Sequence, residues 1–289
     1  MFSGWDEYHL INKGLAELVK NLPRSDLGEV IAYVLSAPGK RVRPLILILS
    51  AEALGGTTSQ AMNAALAIEL VHAASLVHDD ILDSGIERRS SPSTPERFGL
   101  EVSLLAGDYL ISRSIELISH YGQPVIGAFA NACMSMSEGE MLDLSSTCSP
   151  EDYYQCISRK TASLFAASAK IGGLIAGASE EDMARFESYG MNLGLGYQVL
   201  DDLEEFLGVD QGKLSRKTSV TLPRIYSSRH PGDAAQQMSI KIVSDHSSEA
   251  KKALRGSSGR IEMTARLESI VDEMTCRGLQ RCRSQKSLC

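Results

Sequence analysis

The sequence predicts an all-α protein, a single domain of long helices spanning 1–289. Three observations carry this. Apolar residues recur at helical spacing along most of the chain. Glycine and proline punctuate the ends of the periodic stretches. No alternating apolar and polar run bounded by turns demands a strand. A chain of 289 residues buries a sizeable core, and no repeat, low-complexity tract or interdomain linker divides it.

Ile11, Leu15, Leu18 and Val19 share one face of a first helix. Pro44 opens a helix in its first turn and Gly55-Gly56 closes it. Between Ser59 and Asp83 there is neither proline nor glycine, so one helix runs ~37 Å there at about 1.5 Å per residue. Pro92 and Pro95, in a serine-rich stretch, read as a loop. Further helices are predicted over roughly 100–119, 124–145, 150–176, 180–206, 216–229, 232–253 and 259–282, with Pro124 and Pro150 at two of the starts. Segments 207–218 and 254–259 read as the most mobile loops.

Lys and Arg total 29 against 36 Asp and Glu, a net charge of −7, which argues against nucleic acid as a partner. Basic residues nonetheless cluster at Lys40, Arg41 and Arg43 and at Arg88-Arg89, as small anionic ligands require. The six cysteines (Cys133, Cys148, Cys156, Cys276, Cys282 and Cys289) form no Cys-x-x-Cys pair and suggest a reducing compartment. The N-terminus lacks the basic and apolar regions of a signal peptide. No segment reaches the ~18 apolar residues of a membrane helix. A cytoplasmic protein with no transmembrane segment is expected.

The sharpest feature is Asp79-Asp80-Ile81-Leu82-Asp83, where Asp79 and Asp83 stack on one helix face. Carboxylates so placed repel, and a cation is their natural companion. Mg2+ suits them because it takes few protein ligands and keeps waters and phosphates. Taken alone, the cluster also reads as a solvated helix end. A second cluster, Gln198, Asp201, Asp202 and Glu205, forms one polar stripe among Leu193, Leu195, Val199, Leu200, Leu203 and Phe206. Buried carboxylates are costly unless paired or metal-bound, and two such stripes facing each other across a bundle make a metal site. Gly39-Lys40-Arg41-Val42-Arg43-Pro44 places cations before a helix start, where backbone N–H groups also favour anions. Arg88 and Arg89 offer phosphate-matching forks. His72 shares a helix face with Asp79; its alternative is a core histidine. Lys160-Thr161 lies in an apolar stretch; its alternative is a lysine snorkelling to solvent.

These residues, in this order, resemble the trans-isoprenyl diphosphate synthases. The resemblance covers roughly 35–225. It runs from Gly-Lys-Arg-Val-Arg-Pro through Glu69-Leu70-Val71-His72, the first aspartate-rich motif, Arg88-Arg89, Ala106-Gly107-Asp108, Glu138-Gly139-Glu140 and Lys160-Thr161-Ala162 to Gln198 with Asp201-Asp202. It implies an isoprenoid-synthase bundle around a deep central cavity and a homodimer. It also implies a Mg2+-dependent prenyltransferase joining isopentenyl diphosphate to an allylic diphosphate. By resemblance, Lys40, Arg43, His72 and Arg89 hold the isopentenyl diphosphate, while Arg88, Lys160, Thr161 and Gln198 hold the allylic diphosphate. Asp79, Asp83 and Asp201 bind magnesium with Asp80, Asp202 and Glu205 close by, and these aspartates with Lys160 form the catalytic set.

The chain departs from the family in three places. Glu205 stands where the second motif usually ends in Asp. The lysine loop is shortened, so the expected lysine becomes Ser219, leaving Lys213 and Lys217 to reach the allylic diphosphate. Ser90 replaces the usual glycine after the arginine pair. Three rivals stand beside this reading: a class I terpene cyclase, a metal-dependent phosphohydrolase built on His78-Asp79 with His120, and a non-catalytic or partner-dependent subunit of a heteromeric synthase. Small residues at Ala74 and Ser75, upstream of Asp79, place the floor of the cavity deeper, near Val71 and Ile68. They imply a product longer than farnesyl, namely geranylgeranyl or farnesylgeranyl diphosphate.

Overall fold

A computed structural model describes residues 1–145, 149–209, 213–215, 220–230 and 233–284, with 213–215 and Ser284 in backbone only. The architecture is all-α with one small sheet. The helices are α1 (Asp6–Lys20), α2 (Asp26–Ser36), α3 (Val42–Ala53), α4 (Thr58–Leu82), α5 (Thr94–Phe98), α6 (Leu100–Ile118), α7 (Gln123–Leu144) and α8 (Pro150–Ile157). They continue as α9 (Ser163–Ala176), α10 (Glu180–Phe206), α11 (Leu222–Ser227), α12 (Ala234–Leu254), α13 (Ile261–Val271) and α14 (Arg277–Ser284). π-Helical turns at Ser158–Ala162 and Asp272–Cys276 join α8 to α9 and α13 to α14.

The long proline-free and glycine-free helix is α4, started by a capping box in which Thr57 and Gln60 satisfy each other's backbone N–H groups. α3 lies at the centre, with Leu45, Ile46, Leu47, Ile48 and Leu49 all fully buried. It packs against α4, α9 and α13; α4 also packs on α6, and α10 on α9 and α12. α10 contributes Phe186, Tyr189 and Leu193 to this core, and Val199, Leu200 and Leu203 to a second cluster with α8, α11, α12 and α14.

The structure departs from the sequence reading in four places. The helix expected over 216–229 is described only as α11, which begins where Pro223 fits a first turn. The stretch around Pro92 and Pro95 is a strand residue and the first turn of α5, whose N-cap is Ser93. Strands exist, although none was demanded: β1 (Gly85–Arg88) pairs antiparallel with β2 (Ser91–Pro92) and with β3 (Lys213–Ser215). They are too short to show an alternating pattern. α4 also has the length and composition of a membrane span, contrary to expectation, but 67% of its apolar window is buried inside the protein.

The β1–β2 connection shows why a glycine would suit the position that Ser90 occupies. Arg89 and Ser90 have φ of 53° and 60°, the double positive φ of a two-residue type I′ hairpin turn. Glycine adopts that conformation without strain, whereas serine bears a cost of ~1 kcal/mol.

Candidate active site

α4 carries Ile68, His72, Ser75 and Asp79 on one face, at helical spacing. His72, Ser75 and Asp79 are partly exposed, while Ile68 and Ala74 are buried. Asp83 lies just past the helix end at 9% exposure. Asp80 points elsewhere. At 2% exposure it receives Arg88 in a fork, Nη2 to Oδ1 at 2.8 Å and Nε to Oδ2 at 2.9 Å. Asp80, expected beside the metal, and Arg88, expected on the allylic diphosphate, are therefore partners of each other.

The second cluster also divides. Asp201 is exposed, and Asp202 is buried. Asp202 accepts hydrogen bonds from the Tyr153 hydroxyl at 2.5 Å and from Gln198 Nε2 at 2.9 Å. Burial pushes its carboxyl up to about 7 despite those two donors. Gln198 Oε1 in turn accepts from the Thr161 hydroxyl at 2.8 Å. Thr161, Gln198 and Asp202 thus form a chain linking the π-helical turn, α10 and α8 rather than one stripe with Asp201. Glu205 faces outward and meets Arg224 of α11 at 3.0 Å. Lys217 lies outside the described residues, and Lys213 is described only as the β3 backbone opposite Arg88.

Near Asp79 stands Lys160, presented by the π-helical turn, a feature frequent at functional sites. Its Nζ lies 2.7 Å from Glu140 Oε2 and 2.6 Å from Asp143 Oδ2, both on α7. α7 approaches this closely because residue 139 is glycine: a Cβ there would stand 2.2 Å from the Lys160 nitrogen. Burial works against the Lys160 charge, but the carboxylates of Asp79, Asp143 and Glu140 outweigh it and hold the ammonium well above its usual range. Burial, then the charge of Asp79, pushes Glu140 up to about 7 against the pull of Lys160.

A cationic cradle lies beside α4. Arg41, at φ 52°, turns inward and pairs with Glu69 at 2.7 Å, both side chains buried. This leaves Lys40 and Arg43 to face the site. Arg43 Nη1 is 3.0 Å from His72 Nε2, and since a guanidinium only donates, His72 accepts as the neutral imidazole. Burial and then the charges of Arg43, Arg89, Arg88 and Arg41 keep His72 well below the usual histidine range. Arg43 itself is lowered to about 10 by burial, and its Nε is buried without a partner among the described residues. Arg89 donates to the Pro38 carbonyl at 2.5 Å. Tyr197 stands between the cradle and the second motif: the Asp201 charge, then burial, raises its phenol, and Arg43 and Arg89 pull the other way.

Magnesium fits this donor set. Glu140 Oε1 is buried without a hydrogen-bond partner among the described residues, beside Asp79, where two carboxylates want a shared cation. Among the described residues no three acidic, histidine or cysteine side chains form a complete cage. Mg2+ does not need one, since one or two carboxylates with waters and substrate phosphates suffice. Asp79 and Asp83 at one motif and Asp201 at the other are the residues that would hold it.

Sequence reasoning missed Asp143, Tyr153, Phe165 and Tyr197, and placed Glu140 in a motif without giving it a task. The spacing of Glu140 and Asp143, one helical turn apart, was the available signal for the lysine clamp. The phosphohydrolase set does not assemble. His78 packs against Gly107, where a Cβ would stand 2.1 Å from its Nε2, and meets Asp108 only at 4.0 Å. His120 is exposed beyond the far end of α6, more than ~15 Å further along at about 1.5 Å per residue.

Comparison with known proteins gives a consistent result. Residues 24–255 match the polyprenyl synthetase family. A geranylfarnesyl diphosphate synthase of Methanosarcina mazei is 46% identical over 253 residues, 86% of each chain. The crystal structure of a geranyltranstransferase from Methanosarcina mazei superposes with a TM-score of 0.85 at 42% identity, covering 96% of this chain and 100% of that one. A polyprenyl synthase from Caulobacter crescentus, complexed with calcium and isoprenyl diphosphate, superposes with a TM-score of 0.83 at 25% identity, covering 91% and 94%.

Proposed function

The chain belongs to the polyprenyl synthetase family, and from that premise we propose that it elongates an allylic diphosphate with isopentenyl diphosphate to a product longer than farnesyl. It is a trans-prenyltransferase, and no comparison favours a cyclase or a non-catalytic subunit. The observation that carries the two-substrate reading is the Lys40, Arg43, His72 and Arg89 cradle. It is a second anion site, fitted with an Arg43 Nε that has no partner among the described residues. A cyclase has no second diphosphate to hold.

Magnesium, when bound, would offset the charge that develops on the departing diphosphate. Lys160, kept cationic by its three acidic neighbours, binds the allylic diphosphate beside Asp79. The allylic C–O bond breaks and its electron pair leaves with the diphosphate. Arg43, Arg89 and Lys40 anchor the other diphosphate so that the isopentenyl double bond meets the allylic carbon. The new C–C bond forms, and a proton passes to the released diphosphate. His72, neutral, orients Arg43 and takes no part in proton transfer. The apolar α4 wall keeps water from the cation.

The product grows along the α4 face below Asp79, past Ser75, toward Ile68. α6 and α7 expose Leu100, Leu104, Leu105, Ile115, Met134 and Met141. An apolar surface of this kind suits a second copy of the chain, and the working unit is a homodimer of single-domain subunits in the cytoplasm. Its mass in solution by light scattering tests that assembly.

The deciding experiment incubates the purified chain with Mg2+, labelled isopentenyl diphosphate and each allylic primer, and sizes the products. Elongated products that vanish with chelator and return with Mg2+ are expected. Asp79→Ala and Asp201→Ala each lower turnover by orders of magnitude. Hydrolysis or cyclisation without incorporation of label would overturn the proposal.

A further inference from the structure

Two cations of the cradle rest on aromatic rings instead of carboxylates. The Arg43 guanidinium carbon lies 4.3 Å from the centre of the Phe165 ring, and Lys40 Nζ lies 5.6 Å from that of Tyr197. The two rings stand 5.9 Å apart at 47° and support each other. Phe165 is 1% exposed on α9, just after the π-helical turn, and Tyr197 precedes Gln198 on α10. Of the other arginines nearby, Arg41 is neutralised by Glu69 and Arg88 by Asp80, while Arg89 donates to the Pro38 carbonyl. Lys40 and Arg43 form no ion pair among the described residues.

We propose that Phe165 and Tyr197 form a neutral aromatic platform that positions Arg43 and Lys40 for the diphosphate of isopentenyl diphosphate. The inference rests on the reading of the cradle given above. Support that does not spend its charge leaves a cation fully available to an anionic substrate, unlike the Lys160 ammonium held by Glu140 and Asp143. A carboxylate would hold it in place but would compete with the diphosphate. A ring face attracts the cation through its quadrupole and leaves the net charge intact. The platform also limits side-chain motion that binding would otherwise have to freeze out. A tyrosine phenol is uncharged at neutral pH, so that ring stays neutral.

The rings act through Lys40 and Arg43 and are positioning residues. The test compares wild type with Phe165→Leu, Tyr197→Leu and Tyr197→Phe. It reads the Kd of isopentenyl diphosphate by calorimetry, KM for both substrates, kcat and the melting temperature. Each Leu variant is expected to weaken isopentenyl diphosphate about five- to tenfold in Kd and KM. The allylic KM and kcat should stay within about twofold. Tyr197→Phe, which restores the ring, should recover most of the loss. Unchanged isopentenyl diphosphate binding in a folded Leu variant overturns the platform, as do equal losses for both substrates. A Tyr197→Phe protein as impaired as Tyr197→Leu would assign the effect to the hydroxyl and overturn it too. If Phe165→Leu does not fold, the Tyr197 pair alone decides. A wild-type protein that fails to bind isopentenyl diphosphate would instead refute the cradle itself, a separate outcome.

Discussion

Arg88 closes onto Asp80 across the end of α4, Nη2 to Oδ1 at 2.8 Å and Nε to Oδ2 at 2.9 Å, with Asp80 at 2% exposure. The fork ties β1 back to the helix it follows. It withdraws the middle aspartate from the pair formed by Asp79 and Asp83, so adjacent aspartates serve different ends.

Breaking this pair should cost stability before it costs chemistry. Arg88→Ala leaves a buried carboxylate without its cation, and such losses run to about 3–5 kcal/mol. Asp79, partly exposed on the site face, should abolish turnover as Asp79→Ala while unfolding in urea near the wild-type midpoint. An Arg88→Ala protein of wild-type stability would show that the fork is not structural.

The two diphosphate sites should separate kinetically. Arg89→Ala removes a cation of the cradle and raises KM for isopentenyl diphosphate by about tenfold or more, with the allylic KM little changed. Lys160→Ala does the reverse, because its ammonium lies with Glu140 and Asp143 next to Asp79. Identical effects of both variants on both substrates would merge the two sites into one.

His72 makes stability depend on pH. Its folded pKa is depressed well below 6.5 by burial and the surrounding arginines, so the unfolded chain takes up the proton more readily. The stabilisation is complete above about pH 6.5 and is lost as pH falls from there through the folded value. Denaturation of wild type between pH 5 and 8, compared with His72→Gln, should show a fall toward acid that the variant lacks. Parallel curves would mean that His72 is not the linked group.

Product length should follow Ser75 more than Ala74. Ser75 shares the partly exposed face of His72 and Asp79, while Ala74 is buried in the core at 1% exposure. One helical turn is ~5.4 Å, close to an extended isoprene unit. Ser75→Phe should shorten the main product by about one unit, and Ile68→Ala, two turns deeper, should lengthen it. Ala74→Phe shortens it too, but overpacks the core at a cost of ~1–3 kcal/mol. Chromatographic sizing of the products checks all three, and a wild-type product no longer than farnesyl would refute the open path.

The elements themselves were legible in the sequence because their causes are local. Proline at helix starts, the unbroken run that became α4, and the stacking of Asp79 on Asp83 all follow from 3.6 residues per turn and from side-chain sterics. The ordered motifs pointed to the family and its chemistry. What only the tertiary structure decided is which side chain each charge meets. Asp201 and Asp202 are neighbours in sequence, yet ~100° apart around the helix, and Tyr153 and Gln198 claim one while the other stays exposed. Arg88 reaches Asp80 because β1 leaves α4 in a reversal that the Arg89-Ser90 turn continues. Lys160 gains Glu140 and Asp143 because Gly139 lets α7 touch the π-helical turn. The Phe165 and Tyr197 rings come under Arg43 and Lys40 from two other helices. No local periodicity encodes such meetings; they are set by how helices distant in sequence cross, and there the structure divided charges that the sequence had grouped.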